Sequence, residues 1–270
     1  MKKFIDIRSV IHSKNPRLAR WIPKPIIRYL QKTIHEDDLN RIMEEYKDLS
    51  GLDFIDALIE DFGVNVKLYG AENIPIEESV VFVSNHPLGG LDGIAFMHVI
   101  GGFRRDVKFL VNDILMNIGN LEPLFIPVNK VGSQGKNYIK AIDDAYSKDQ
   151  ALLVFPAGLV SRKIKNKITD LTWRKSFINR AKKYKKNIIP VYIEGRNSNF
   201  FYNLANIRKK VGIKANIEML YLPDEMFSQK DKTINIIIGE KIPYTTFDKS
   251  RSEHEWAKVV REKVYSLEKD

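Results

Sequence analysis

Short apolar runs alternate with helix-like segments along most of this chain, and that alternation limits the possible folds more than any other feature. Three such runs occupy residues 80–83, 151–154 and 188–193, and each is followed by a polar turn. Apolar runs of this length are typical of strands buried on both faces of a sheet. Strands that alternate with helices predict an α/β fold: a mixed, largely parallel sheet flanked by helices, with an N-terminal helical region before it.

The same pattern predicts where the elements and the domain boundary lie. Residues 1–63 are expected to form a helical, basic region, and residues 64–270 a sheet-containing domain. Strands are predicted over residues 64–69, 80–83, 107–111, 124–128, 151–155, 188–193, 215–220 and 234–238. Helices are predicted near residues 52–61, 92–100, 135–147, 171–184, 199–209 and 253–267. The chain has 270 residues, of which 44% are apolar, so it can bury a substantial core.

The turn after residues 80–83 brings a histidine and a carboxylate together. Residues 84–93 read Ser-Asn-His-Pro-Leu-Gly-Gly-Leu-Asp-Gly, which places His86 and Asp92 in one glycine-bearing turn. An imidazole at a strand end can accept a proton from a hydroxyl group, and a nearby acid can fix its tautomer and stabilise the imidazolium. The alternative is purely structural, because Asn, Pro and Gly are common turn residues and Asp is a common helix N-cap.

A second polar turn follows residues 151–154. Residues 155–163 read Phe-Pro-Ala-Gly-Leu-Val-Ser-Arg-Lys. Two polar turns that follow two buried strands can face one cleft, and this pairing favours the functional interpretation of the histidine turn.

Four blocks in this order resemble the glycerolipid acyltransferases related to lysophosphatidate acyltransferase. Asn85, His86 and Asp92 match the first block, and residues 125–130 look like the second. Residues 155–162 resemble the third block, and residues 188–191 the fourth. The resemblance spans roughly residues 64–243, so residues 64–270 are interpreted as the acyltransferase catalytic domain.

The chain also departs from the usual pattern of that family. Five residues separate His86 from Asp92 where the family usually has four, and the third block has Ala157 and Val160 where Glu and Arg are common. The second block ends in Lys130 where Arg is common. Because those family positions help to bind the acceptor's phosphate, the changes point to a headgroup other than glycerol phosphate. The paired glycines also resemble the branch that completes ornithine- or glycine-containing aminolipids in bacteria.

The resemblance implies transfer of a fatty acyl chain from acyl carrier protein or coenzyme A to a hydroxyl of a lyso-lipid. His86 is the expected general base, with Asp92 on its other ring nitrogen, and no covalent acyl-enzyme, metal or further cofactor is expected. Expected substrate-binding residues are Asn85, Gly89, Gly90, Asn129, Lys130, Gly158, Ser161, Arg162 and Lys163. For the two paired glycines a turn with positive φ is an equally good explanation. For Ser161, Arg162, Asn129 and Lys130 the alternative is helix capping and surface charge.

The formal net charge of +10 is concentrated in two blocks. Residues 1–35 contain nine Lys and Arg against one acid, residues 162–190 contain eleven against one, and residues 36–80 contain three against thirteen. The first block is interleaved with apolar residues, as in helices that lie in a lipid headgroup layer, although a helical cap packed on the core has the same pattern. An anionic membrane surface is therefore the expected partner, and nucleic acid is not expected because no recognition motif is present.

The expected location is the cytoplasm, peripheral on the inner face of the cell membrane. The longest weakly polar stretch near the first block, residues 93–103, is about half the ~20 residues that a spanning helix needs, and no secretory signal is evident. The chain has no cysteine, which excludes disulfides and thiol chemistry. The alternative to an enzyme is a non-catalytic protein that binds anionic lipid on the same fold.

Overall fold

The computed structural model describes residues 3–14, 20–128 and 135–268, and within them seven strands form one sheet with helices on both faces. The strands of this sheet are β1 (Asn65–Tyr69), β2 (Val80–Ser84), β3 (Val107–Val111), β4 (Phe125–Pro127), β5 (Ala151–Val154), β8 (Asn187–Ile193) and β9 (Thr233–Ile238). Their order is β1-β9-β8-β2-β5-β3-β4, and neighbours are parallel except for β8 and β9. The predicted mixed, largely parallel α/β sheet is therefore confirmed.

Ten α-helices lie within the described residues. They are α1 (Ile7–Lys14), α2 (Lys24–Thr33), α3 (Glu36–Glu45), α4 (Gly51–Asp61), α5 (Gly90–Gly101), α6 (Gly135–Ser147), α7 (Ser176–Tyr184), α8 (Asn199–Lys210), α9 (Leu222–Phe227) and α10 (Glu253–Tyr265). None of the helices within the described ranges has the length and apolarity that a bilayer-spanning helix requires.

Strand β2 lies at the centre of the sheet, and its side chains alternate between two hydrophobic cores. Val80 and Phe82 pack into the core that contains α4 and α5, whereas Val81 and Val83 pack into the core of α6, α7 and α10. All five β2 residues are buried, which explains why the run is continuously apolar rather than alternating. Because β2 is parallel to β5 and β8, the carboxyl ends of these three strands meet at one edge of the sheet.

The N-terminal helices are held to the rest of the chain by packing and by polar contacts. Helix α4 supplies Phe54 and Ile55 to the same core as the sheet. His35, at the start of α3, contacts Asp224 of α9 through Nε2 at 3.0 Å. The predicted boundary between residues 63 and 64 thus falls between two elements that share one core.

A predicted strand over residues 215–220 is wrong. Residues 217–221 form a 3₁₀ turn that leads into α9. In this turn Glu218 is fully buried and forms ion pairs with Arg162 at 3.0 Å and Arg208 at 2.7 Å. The apolar residues around Glu218 indicated a strand. The conformation of this segment depends instead on the buried Glu218 carboxylate, whose partners Arg162 and Arg208 do not appear in the local pattern.

Two further differences concern the second basic block. Strands β6 (Arg162–Ile164) and β7 (Lys167–Thr169) form an antiparallel hairpin that was not predicted. Lys165 and Asn166 both have positive φ, as a tight two-residue hairpin turn requires. Helix α7 begins at Ser176 rather than at residue 171. The residues before it form no helix, and the amide of Arg174 donates to the carbonyl oxygen of Pro156 in the third block at 3.1 Å.

Replacing Glu218 with Ala is expected to lower the free energy of unfolding by about 3 kcal/mol, because Arg162 remains buried without its carboxylate. Chemical denaturation followed by circular dichroism measures this loss. Glu262→Ala is the control, since Glu262 is exposed and lies 3.7 Å from Lys258. That change is expected to cost less than about 0.5 kcal/mol, and equal losses for the two variants would contradict the buried pairing.

Candidate active site

Asn85 ties the end of β2 to the end of β8. Its side-chain Nδ2 donates to the carbonyl oxygen of Ile193 at 2.8 Å, and its Oδ1 accepts from the amide of Ile193 at 2.7 Å. Asn85 is 3% exposed, and both ends of its amide are used in these bonds. The structure therefore places this predicted substrate-binding residue in the support of the next residue, His86, and not in an open cleft.

His86 and Asp92 lie within hydrogen-bond distance, as predicted. Nδ1 of His86 is 2.8 Å from Oδ2 of Asp92, although five residues separate them in the chain. The intervening residues form a loop and the first turn of α5, which carries Asp92 back toward the imidazole. With Asp92 ionised, its oxygens only accept, so the proton lies on Nδ1 and the lone pair on Nε2.

The Asp92 carboxyl also organises the start of α5. Its oxygens accept from the backbone amides of Leu88 at 2.8 Å and Gly89 at 3.0 Å, the donors that precede the first helical turn. Burial raises the pKa of the Asp92 carboxyl above its ordinary value, and the hydrogen bonds from His86 and the two amides oppose that rise. One side chain therefore makes both the contact with the imidazole and the bonds that hold the start of the helix.

The imidazole of His86 lies on an aromatic support. Its ring stacks on Phe155, with 4.1 Å between centroids and 17° between planes. Phe155 in turn meets Phe109 edge to face at 5.3 Å. The side chain of His86 keeps 16% of its surface exposed, so a ligand can reach the ring. The first residue of the third block thus fixes the plane of the candidate base.

A buried carboxylate that the sequence analysis did not single out joins the two turns. Asp170 is 3% exposed, and its Oδ1 accepts from the amide of His86 at 3.2 Å and from Oγ of Ser161 at 2.5 Å. Its Oδ2 accepts from Nε1 of Trp173 at 2.8 Å. One feature of the sequence could have identified it: Asp170 is the one acid among eleven Lys and Arg in residues 162–190.

Ser161 and Gly158 belong to the turn that faces the histidine turn. The amide of Ser161 donates to the carbonyl oxygen of His86 at 2.7 Å, so the two turns are bonded directly. Ser161 is 1% exposed and its hydroxyl is bonded to Asp170. Gly158 has a φ of +67°, which favours glycine at this point of the turn.

Arg162 and Lys163 diverge after that turn. The guanidinium of Arg162 is buried, pairs with Glu218 and lies 5.5 Å from the ring centroid of Phe201. Burial lowers the pKa of Arg162 from its ordinary value. Lys163 is half-buried and follows Arg162 in β6, so its side chain lies on the opposite face of the hairpin. The charge of Arg162 is thus already engaged in a buried ion pair within the fold.

The paired glycines of the first block face α9. Gly89 has a φ of +83°, and a Cβ at this position would lie 3.0 Å from Cδ2 of Leu222. A Cβ at Gly90 would lie 3.8 Å from Sδ of Met226. Close packing and positive φ therefore account for Gly89. The predicted binding residues Asn129 and Lys130 lie outside the residues that the structure describes.

A loop after β8 closes the other side of the histidine turn. Nδ2 of Asn197 donates to the carbonyl oxygen of Pro87 at 3.2 Å, and its amide donates to Oη of Tyr202 at 3.1 Å. The next residue, Ser198, caps α8 by accepting from the amide of Phe201 at 3.1 Å. The histidine turn is therefore held between loops from β5 and β8, and an imidazole held in this way can exchange a proton with a hydroxyl group that reaches it.

Replacing Asp170 with Asn is expected to lower the free energy of unfolding by about 1–3 kcal/mol, because the new amide group points a donor at another donor in a buried site. Chemical denaturation followed by tryptophan fluorescence measures the loss and reports on Trp173. Asp149→Asn is the matched control, since the Asp149 side chain is 97% exposed. If the Asp170 variant is as stable as that control, Asp170 does not connect the turns.

Comparison with known proteins identifies the family. Residues 9–270 match the family model described as Acyltransferase. Two relatives are named lyso-glycine lipid O-acyltransferase. The Bacteroides thetaiotaomicron protein is 45% identical over 264 residues, covering 97% of each chain. The Phocaeicola vulgatus protein is 42% identical over 264 residues, covering 97% of this chain and 95% of its own.

A solved structure is also similar to this chain. The 1-acyl-sn-glycerophosphate acyltransferase PlsC of Thermotoga maritima is 18% identical, with 85% of this chain and 80% of that chain covered and a TM-score of 0.49. The family assignment follows from the sequence matches, which extend over nearly the whole chain. The resemblance inferred from the four blocks is confirmed, and this protein belongs to the acyltransferase family.

Proposed function

We propose that this acyltransferase moves a fatty acyl chain from an acyl thioester of acyl carrier protein or coenzyme A to a hydroxyl of a lyso-lipid. The observation that carries the proposal is the 2.8 Å contact between Nδ1 of His86 and the buried carboxyl of Asp92, in a ring that remains partly exposed. His86 is the general base and Asp92 orients it.

The chemistry needs no group beyond these two side chains and the substrates. Nε2 of His86 takes the proton of the acceptor hydroxyl as that oxygen attacks the thioester carbonyl carbon. The tetrahedral intermediate then expels the thiolate as the C–S bond breaks, and the imidazolium returns the proton to sulfur. General-base catalysis of this kind contributes about 10²- to 10⁴-fold to the rate.

The acceptor we propose is a lyso-glycine lipid. Both relatives at more than 40% identity carry that substrate in their names, and they align over 97% of this chain. The third block supports a headgroup other than glycerol phosphate, because Ala157 and Val160 are buried at 6% and 1% exposure. Neither side chain can offer a charged group to a phosphate.

We propose that the protein docks on the inner face of the cell membrane through a surface near the active site. Tyr29 of α2 and Phe200 of α8 are half exposed, and both contact Tyr221, at 2.8 Å between hydroxyls and 4.9 Å between ring centroids. The next residue, Leu222, packs against Gly89 of the histidine turn. Three exposed basic residues closely precede Tyr29 in the chain: Arg20, Lys24 and Arg28. Aromatic and basic residues together suit an anionic lipid surface.

Replacing His86 with Ala is expected to lower acyl transfer at least 10²- to 10⁴-fold, because the hydroxyl loses its base. Transfer from an acyl carrier protein or coenzyme A thioester to a lyso-glycine lipid is measured by mass spectrometry of the product. His98→Ala is the matched control, since His98 lies on α5, the helix that carries Asp92, and its Nδ1 is 2.7 Å from Asp56 of α4 in an exposed pair. Undiminished transfer by the His86 variant would overturn the proposed base.

Replacing Tyr29 and Phe200 together with Ser is expected to weaken binding to vesicles that contain anionic phospholipid, because exposed aromatic surface is lost. Vesicle flotation at low and high salt measures both the apolar and the electrostatic contribution. Ile76→Ser with Ile139→Ser is the control, since these residues are similarly exposed, at 55% and 58%, outside the proposed surface. Equal loss of binding in the two double variants would place the docking surface elsewhere.

A further inference from the structure

We propose that the guanidinium of Arg174 binds the carboxylate of the acceptor's headgroup. This inference rests on the proposed function and adds a binding residue to the same site. Glycine has no hydroxyl, so the hydroxyl of a lyso-glycine lipid lies on the acyl chain joined to the glycine nitrogen. The glycine carboxylate then remains free and negatively charged, and it needs a cation close to the histidine turn.

The backbone of Arg174 is attached to the turn that supports His86. Its amide donates to the carbonyl oxygen of Pro156 at 3.1 Å. Pro156 directly follows Phe155, on which the imidazole of His86 stacks. The preceding residue, Trp173, is buried and bonded to Asp170, which also bonds the amide of His86. The backbone of Arg174 is therefore held relative to His86 in two ways: by its own bond to Pro156 and by the bond of its neighbour Trp173 to Asp170.

The guanidinium of Arg174 lies over the glycine of the third block. A Cβ at Gly158 would be 3.5 Å from Cζ, 3.6 Å from Nη2 and 3.8 Å from Nε of Arg174. A Cβ at this position would therefore just touch the guanidinium at ordinary van der Waals distance, so the planar group lies directly beside the turn, where glycine has no side chain. Arg174 is nevertheless exposed, which leaves its N–H donors accessible to a ligand.

The other arginines around these turns already have partners. Arg162 and Arg208 share the buried carboxylate of Glu218. Arg180 lies 2.9 Å from Asp143, and Arg261 donates to the hydroxyl of Thr169 and the carbonyl oxygen of Asp170. In contrast, Arg174 forms no ion pair with any residue in the described part of the chain. Its charge is therefore available to a ligand, as is that of Arg196 after β8, which donates to the neutral side chain of Asn199 at 3.1 Å; of these two, Arg174 is the one that lies on the turn of the third block.

The chemistry of this side chain suits a carboxylate. A guanidinium presents parallel N–H donors that match the two oxygens of a carboxylate or of a phosphate. The third block has Val160, which is buried, where the family commonly has Arg. Arg174 reaches the same turn from a position fourteen residues later in the chain. It brings to Gly158 a positive charge that Val160 does not supply and that Arg162, paired with Glu218, does not leave free.

The test compares Arg174→Gln with wild-type protein on an N-acylglycine that carries a hydroxyl on its acyl chain, and on the methyl ester of that compound. For the free acid, the variant is expected to raise KM about 10- to 100-fold and to change kcat little, because a charged hydrogen bond made in ground and transition states alike is lost. For the wild type, KM for the methyl ester is expected to exceed KM for the free acid by a similar factor. For the variant, KM for the methyl ester is expected to be no higher than KM for the free acid. KM for the acyl thioester is expected to stay the same.

Lys175→Gln is the matched control, since it removes one exposed positive charge from the adjacent residue. Arg174→Lys keeps the charge but loses the paired donors, and is expected to restore only part of the affinity. If Arg174→Gln and Lys175→Gln leave KM for the acid equal to that of the wild type, the inference is overturned while the proposed function stands.

Failure of the proposed function has a different signature. A wild-type protein that transfers to no lyso-lipid overturns that function, and calorimetric binding of the same N-acylglycine to wild type and Arg174→Gln then decides the inference alone. Lysophosphatidate serves as the phosphate counterpart. Loss of affinity in Arg174→Gln for lysophosphatidate but not for the N-acylglycine would overturn the assignment of a carboxylate.

Discussion

The carboxyl of Asp92 is the interaction on which the site depends. It is fully buried, bonds Nδ1 of His86 and accepts from the amides of Leu88 and Gly89 at the start of α5. A buried carboxylate is stable only when its lone pairs are satisfied, and here helix entry and imidazole satisfy them together. Orientation of the imidazole is therefore inseparable from the start of the helix, and a change at either one disturbs the other.

A second buried acid, Asp170, gives the site its shape. It bonds the amide of His86, the hydroxyl of Ser161 and the indole of Trp173, so the turns after β2 and β5 are held at a constant separation. The stacking of His86 on Phe155 depends on that separation. Buried and exposed arginines differ in their partners. Arginines that are buried have carboxylate partners, whereas Arg174 lies exposed on the turn.

The strand predictions succeeded where burial on both faces leaves a simple signal. The runs that became β2, β5 and β8 are confirmed, and their parallel pairing places both polar turns at one edge of the sheet. The prediction over residues 215–220 was wrong because Glu218 pairs there with arginines from β6 and α8. The hairpin of β6 and β7 was missed because half of residues 162–169 are Lys or Arg, and because its turn depends on positive φ at two residues that are not glycine.

The sequence by itself determined the fold class, the family and the proximity of His86 to Asp92. These follow from local patterns: the apolar runs, the order of the blocks and the separation of only six positions between His86 and Asp92. Only the tertiary structure decided which polar residues are used inside the fold. Asn85 holds β8, Ser161 is bonded to Asp170, and Arg162 is paired with Glu218. Each of those partners is far away in the chain or belongs to another element, and a hydrogen bond or ion pair between such residues leaves no periodic mark in the sequence.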